Sequence, residues 1–181
     1  MPFRPVVRSS LAFNNNQYLF TEHPSAKGMA YGQTGRRATV YQVVDGNGRY
    51  YALKVFTLAF RNPRTETNAQ KLQAFADLPG LQVCTRLTIT LQAHASLVQQ
   101  YPDLQYAVLM PWIEGQTWQE VMLSGQSFSK QQTHILAQWL VCVLAVLEQR
   151  GLAHCDLSGP NILLPGLPTL SNVSQNTLIT H

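Results

Sequence analysis

The chain has 181 residues, which suits one domain with a real core and is tight for two. Hydrophobic residues make up 45% and charged residues 12%, a balance that excludes a disordered chain. Thirteen Lys and Arg stand against nine Asp and Glu, for a net charge of +4. The basic residues are scattered, with no Lys/Arg run and no interleaved aromatics, so nucleic acid is not an expected partner.

Three cysteines, Cys84, Cys142 and Cys155, lack the paired spacing of a disulfide framework or a CxxC zinc site, which points to a reducing cytoplasm. The start, Met1-Pro-Phe-Arg-Pro, has no apolar run of signal-peptide kind. The most apolar stretch, residues 135–147, is too short to span a bilayer and contains Gln138 and Trp139. It reads as a core helix in a soluble protein with no membrane partner.

In chain order, residues 1–26 read as an irregular or adaptable lead-in, with two early prolines and the cluster Asn14-Asn15-Asn16-Gln17. Residues 38–44 are rich in β-branched and aromatic side chains, Asp45-Gly46-Asn47-Gly48 supplies turn chemistry, and residues 49–56 form another strand-like run. Two such runs around a turn predict a β-hairpin. Residues 64–76 lack breakers and predict a short helix anchored by Leu72 and Phe75. Residues 81–92 alternate loosely, as in a strand, and residues 105–110 predict another strand. Ser129 followed by Gln132 has capping-box form and opens a helix that runs to about Gln149, with Gly151 placed to end it. The order of strands, helix, strands and a long helix is a mixed α+β arrangement.

The sharpest chemical signal follows that helix: His154-Cys155-Asp156-Leu157-Ser158-Gly159-Pro160-Asn161, with the apolar Ile162-Leu163-Leu164 behind it. Alone, it also reads as a turn with two polar caps. It resembles the protein-kinase catalytic loop, H-R-D-L-x-x-x-N. The resemblance extends to four further features. Ala52-Leu53-Lys54-Val55 is similar to the V-A-I-K strand; a lone strand lysine is commonly an exposed edge residue, but the apolar neighbours here imply burial and an anionic partner. Gly32-Gln33-Thr34-Gly35, leading to Val40, falls where the glycine-rich loop belongs. Registered on Val40, only Gly35 keeps its glycine, with Gln33 and Ala38 at the other two places. Leu109-Met110-Pro111-Trp112-Ile113-Glu114-Gly115 looks like the hinge between kinase lobes. Glu66 is the only acidic residue between Lys54 and Asp77, hence the candidate helix partner for the lysine.

The wording of these segments is similar to bacterial serine/threonine kinase-like domains. The resemblance implies a β-rich N-lobe with one helix and an incomplete helical C-lobe. Residues 1–26 would be a lead-in, 27–113 the N-lobe and hinge, 114–164 the start of the C-lobe, and 165–181 a short tail. It implies ATP and magnesium as cofactors and a protein substrate or docking partner. Asp156 would accept the proton of the attacking hydroxyl, Lys54 would hold the α and β phosphates, and Asn161 would ligate magnesium. Gly32, Gly35, Val40, Ala52 and Glu66 would complete the nucleotide site. Met110 would guard the back of the pocket, and the backbone of Pro111 and Ile113 would meet the adenine.

Three departures bear on activity. Cys155 replaces the arginine that binds an activation-loop phosphate, and reads either as a packed loop residue or as a redox or metal residue. Ser158 stands where many serine/threonine kinases carry a lysine on the γ-phosphate. Residues 162–181 contain no Asp or Glu, so the D-F-G carboxylate has no counterpart, and the expectation is a chain truncated after its catalytic loop. Three functions follow: a kinase transferring phosphate to Ser or Thr, a pseudokinase or partial kinase acting as a binding module, or a fragment of an intact kinase. The absence of G-x-x-x-x-G-K-[ST] argues against a Walker-type NTPase, and the His and Cys spacing argues against zinc.

Overall fold

The chain divides into two units, the first ending at Trp112 and the second beginning at Ile113. The computed structural model describes residues 3–77, 81–153, 157–164 and 179–180. It is a mixed α+β protein whose ladders are antiparallel throughout the described residues.

The expected irregular lead-in is instead ordered β-structure. Strand β1 (Ser10–Phe13) turns back into β2 (Asn16–Phe20), with Phe13 opposite Asn16. Asn14 and Asn15 join them at φ 50° and 59°, the left-handed pair that a two-residue type I′ turn demands. Asparagine tolerates that region better than most side chains, so the polar cluster is a turn and not a flexible tail. Leu11, Phe13, Tyr18 and Phe20 alternate inward and are buried.

A small hairpin follows, β3 (Glu22–His23) and β4 (Ala26–Ala30), then β5 (Gly32–Thr34), β6 (Ala38–Asp45) and β7 (Tyr50–Phe56). Residues 18–20 oppose 43–45, and residues 32–34 oppose 39–41. Thr21 N–H donates to Gln42 O at 3.2 Å and Gln42 N–H to Tyr31 O at 2.9 Å between those two stretches. So β2 and β5 act as one edge along β6, interrupted by the excursion of β3 and β4. The predicted hairpin is present as β6–β7. Its turn is held by Asp45 Oδ1, which accepts from the N–H groups of Asn47 and Arg49 at 2.9 Å each, and Gly48 takes φ 77°.

Helix α1 (Arg64–Gln73) follows; it buries Ala69 and carries half-buried Leu72. The loose alternation of residues 81–92 yields only β8 (Leu87–Thr88), preceded by a 3₁₀ turn over Gln82–Cys84. A short helix α2 (Ala95–Gln100) leads to β9 (Val108–Pro111). This strand starts later than expected because Tyr106 has φ 65° and Ala107 N–H closes a turn on Leu104 O at 2.9 Å. The strand order is β1-β2-β6-β7-β9-β8, with β5 beside β6. One sheet face carries Val43, Leu53, Val55 and Leu109 against Val98 of α2 and Leu104. Leu53, Ile89 and Leu104 are fully buried, each contributing about 1.5–3 kcal/mol of apolar burial.

In the second unit, β10 (Gln116–Thr117) runs into α3 (Trp118–Leu123), followed by α4 (Lys130–Gln149), β11 (Ile162–Leu164) and β12 (Ile179–Thr180). The three strands form a sheet in the order β10-β11-β12. The predicted capping box of α4 is present: Ser129 Oγ accepts from Gln132 N–H at 3.2 Å, and Ser129 N–H donates to Gln132 Oε1 at 2.9 Å. Gly151, at φ 67°, ends the helix as expected. Among the described residues α4 buries only Leu136, which packs with Val121 and Leu164. No helix among the described residues is long and apolar enough to cross a membrane.

Candidate functional site

Directly opposed residues of an antiparallel ladder project from the same face. Lys54 opposes Val40 on one side and Val108 on the other; Ala52 opposes Gln42 and Met110. Four of the predicted residues, Val40, Ala52, Lys54 and Met110, therefore share one face of the sheet, opposite the face that carries Leu53 and Val55. Ala52 is 1% exposed, with Val108 and Met110 also buried and Lys54 half-buried. The lysine was expected to be buried outright. Its ammonium lies 5.7 Å from the ring centroid of Phe56, the next residue along the same face. Sequence reasoning missed Val108, although it stands two residues before Met110 and so shares its face by simple alternation.

The glycine-rich segment forms the β5–β6 hairpin, with Gly35 N–H donating to Ala38 O at 2.9 Å. Gly32 has a packing reason to be glycine: a Cβ there would come within 2.7 Å of the Tyr41 ring. At Gly35 a Cβ would meet only Ala38 O, at 3.6 Å. Neither glycine takes a positive φ. Arg36 and Arg37 are exposed at the tip, and the Arg37 guanidinium carbon lies 5.7 Å from the Phe60 ring centroid.

Glu66 is half-buried in the first turn of α1, and α1 packs against β8. Among the described residues an ion pair joins Arg61 and Asp103. Asp103 Oδ2 also accepts from Phe3 N–H at 2.5 Å. Desolvation pushes the Asp103 carboxyl up, but the Arg61 guanidinium and the Phe3 N–H outweigh it and hold the group below its ordinary range.

Met110 and Pro111 end β9 in the first unit, with Pro111 opposite Tyr51; Ile113 opens the second unit and is half-buried. Beyond Pro111, Trp112 N–H donates to Tyr50 O at 3.2 Å.

In the second unit, His154, Cys155 and Asp156 lie outside the described residues, as does most of the tail, residues 165–178. The described end of the predicted catalytic loop is a 3₁₀ turn over Gly159–Asn161. Asn161 N–H donates to Ser158 O at 2.9 Å, and its side-chain amide nitrogen donates to Ser158 Oγ at 3.1 Å. Gly159 sits tightly on α3: a Cβ would come 3.3 Å from Gln119 Cβ and 3.5 Å from Trp118 Cδ1. A side chain at this position would need the helix surface to give by a few tenths of an ångström. Among the described residues no group of three or more His, Cys, Asp or Glu side chains could hold a metal ion. Asn161 alone is a poor site for magnesium, which prefers several hard oxygen ligands.

A polar cleft of about 520 Å³ lies between the Asn14–Asn15 turn and α2, away from every predicted site residue. His94 Nδ1 accepts from Thr90 N–H at 3.2 Å, which leaves Nε2 to donate to Asn14 Oδ1 at 2.9 Å. The His94–Asn14 bond ties the hairpin to the start of α2.

No protein-family model matches this chain, and no curated protein matches it.

Proposed function

We propose that this chain is a protein-kinase-like nucleotide-binding domain that transfers phosphate from ATP to Ser or Thr hydroxyls. The observation that supports this most is the shared face of Val40, Ala52, Lys54 and Met110, one charged group amid a small apolar floor. In this reading a base would pack at the apolar end of that face, beside Ala52, Val108 and Met110, and Lys54 would offer a positive charge to phosphate oxygens. In the transfer, the substrate hydroxyl oxygen bonds the γ-phosphorus as the bond to the leaving ADP oxygen breaks. Asp156 accepts the hydroxyl proton. Among the described residues Asn161 would contribute an oxygen to a magnesium ion, which would neutralise phosphate charge and would need further oxygen ligands.

The second reading is a pseudokinase or partial kinase that works by docking. One feature favours it: α4 leaves Val141 65% exposed with Cys142, Ala145 and Val146 also at the surface. The two readings part in one assay with ATP labelled at the γ-phosphate. Incorporation into Ser or Thr that disappears in Asp156→Asn supports transfer. Nucleotide binding without incorporation supports the docking module.

A further inference from the structure

Between residues 135 and 147, helix α4 is apolar but for Gln138, yet among the described residues it buries only Leu136. A helix apolar all round ordinarily has neighbours on every side. Its exposed face is centred on Val141, the most exposed of its large apolar side chains at 65%. Four residues to either side stand Ala137 and Ala145, and seven to either side stand His134 and Glu148, all exposed. At 3.6 residues per turn these steps return to within about 40° of Val141, so the five side chains share one stripe. The stripe has the same spacing read in either direction, with an imidazole at one end and a carboxylate at the other. Among the described residues neither His134 nor Glu148 has an ion-pair partner on its own chain.

We infer that this face of α4 binds the same face of a second copy of the chain, the two helices lying antiparallel about a two-fold axis through Val141. In such a contact residue i meets j and j meets i. Val141 then meets Val141 of the second copy, Ala137 meets Ala145, and His134 meets Glu148, the last two pairs each occurring twice. An imidazole N–H donates to a carboxylate oxygen, and such bonds are among the stronger ones. A parallel pairing would set Glu148 against Glu148, so the pattern of polar ends selects the antiparallel one. Antiparallel packing also places the positive end of each helix dipole beside the negative end of the other. The alanines flanking Val141 let the two axes approach to about 8 Å, the close end of helix packing. One stripe per copy is a small interface, so the association depends on concentration. It holds whether or not the chain binds nucleotide.

The test is sedimentation velocity on the full chain at about 1–300 µM, with the melting temperature of each protein measured alongside. It compares wild type, Val141→Glu, His134→Glu, and the swap that combines His134→Glu with Glu148→His. Wild type should pass from monomer to dimer within that range. Val141→Glu should stay monomeric and, because the side chain is exposed, melt within about 3 °C of wild type. His134→Glu sets two carboxylates against each other at both ends and should weaken the dimer about tenfold or more. The swap again places an imidazole opposite a carboxylate and should return to within about threefold of wild type. Such a rescue requires that both ends of the stripe meet in one contact, as only a second copy provides. Wild type that stays monomeric throughout overturns the inference and leaves the face to another occupant. Dimers that survive Val141→Glu overturn it too, because the contact would then lie elsewhere. A swap no tighter than His134→Glu alone overturns the antiparallel arrangement and the inference with it.

Discussion

Ala52 on β7 and Met110 on β9 stand directly opposite each other across the centre of the sheet, both buried, on the face that carries Lys54. The small residue makes room for the large one, and together they floor one end of that face. Ala52→Leu should overfill this spot and cost about 1–3 kcal/mol. Combining it with Met110→Ala should recover much of that loss, because the two side chains share one space. A double-mutant cycle by urea denaturation measures the coupling, expected at about 0.5 kcal/mol or more. Strictly additive effects would contradict the register.

The two glycines of the β5–β6 hairpin separate packing from ligand binding. Gly32→Ala pushes a methyl group into the Tyr41 ring and should cost about 1–2 kcal/mol of stability. Gly35→Ala meets only ordinary contact and should stay within about 0.5 kcal/mol of wild type. Thermal melts without ligand check both.

Asp103 ties the start of the chain to Arg61, just beyond β7. Its carboxyl is held below its ordinary range, so the folded state binds that proton more weakly than the unfolded state. The resulting stability is complete above the unfolded-state pKa and disappears as pH falls through the folded-state value. Asp103→Asn should therefore cost about 1–2 kcal/mol at neutral pH, with the difference from wild type shrinking in acid. Urea denaturation across the acid range measures that gap; a gap that widens in acid would contradict the assignment.

Local chemistry made several elements legible in the sequence. Asp45 and Gly48 specify the β6–β7 turn, and Ser129 with Gln132 specifies the start of α4, because each acts through hydrogen bonds to its own neighbourhood. The lead-in was misread because Asn14 and Asn15 adopt a left-handed turn that glycine more often signals. Tyr106 hid the start of β9 for the same reason, as an aromatic residue at positive φ carries no sequence mark. Of the candidate site, Val40, Ala52, Lys54 and Met110 were legible from their motifs, and the ladder brings them to one face. Gly32 was read for its phosphate chemistry, whereas the contact that requires it is the Tyr41 ring. The predicted Asp156 lies outside the described residues.

If Lys54 and its apolar floor hold the phosphates and base of ATP, as proposed, nucleotide should stabilise the folded protein through that lysine. The most direct measurement is a thermal-shift titration with ATP, with and without magnesium, on wild type and on Lys54→Ala. Stabilisation of the wild type should grow with ATP concentration, by about 2.7 kcal/mol at a hundredfold excess over Kd, and should be lost in the variant. No shift in the wild type, or an equal shift in both proteins, would contradict it.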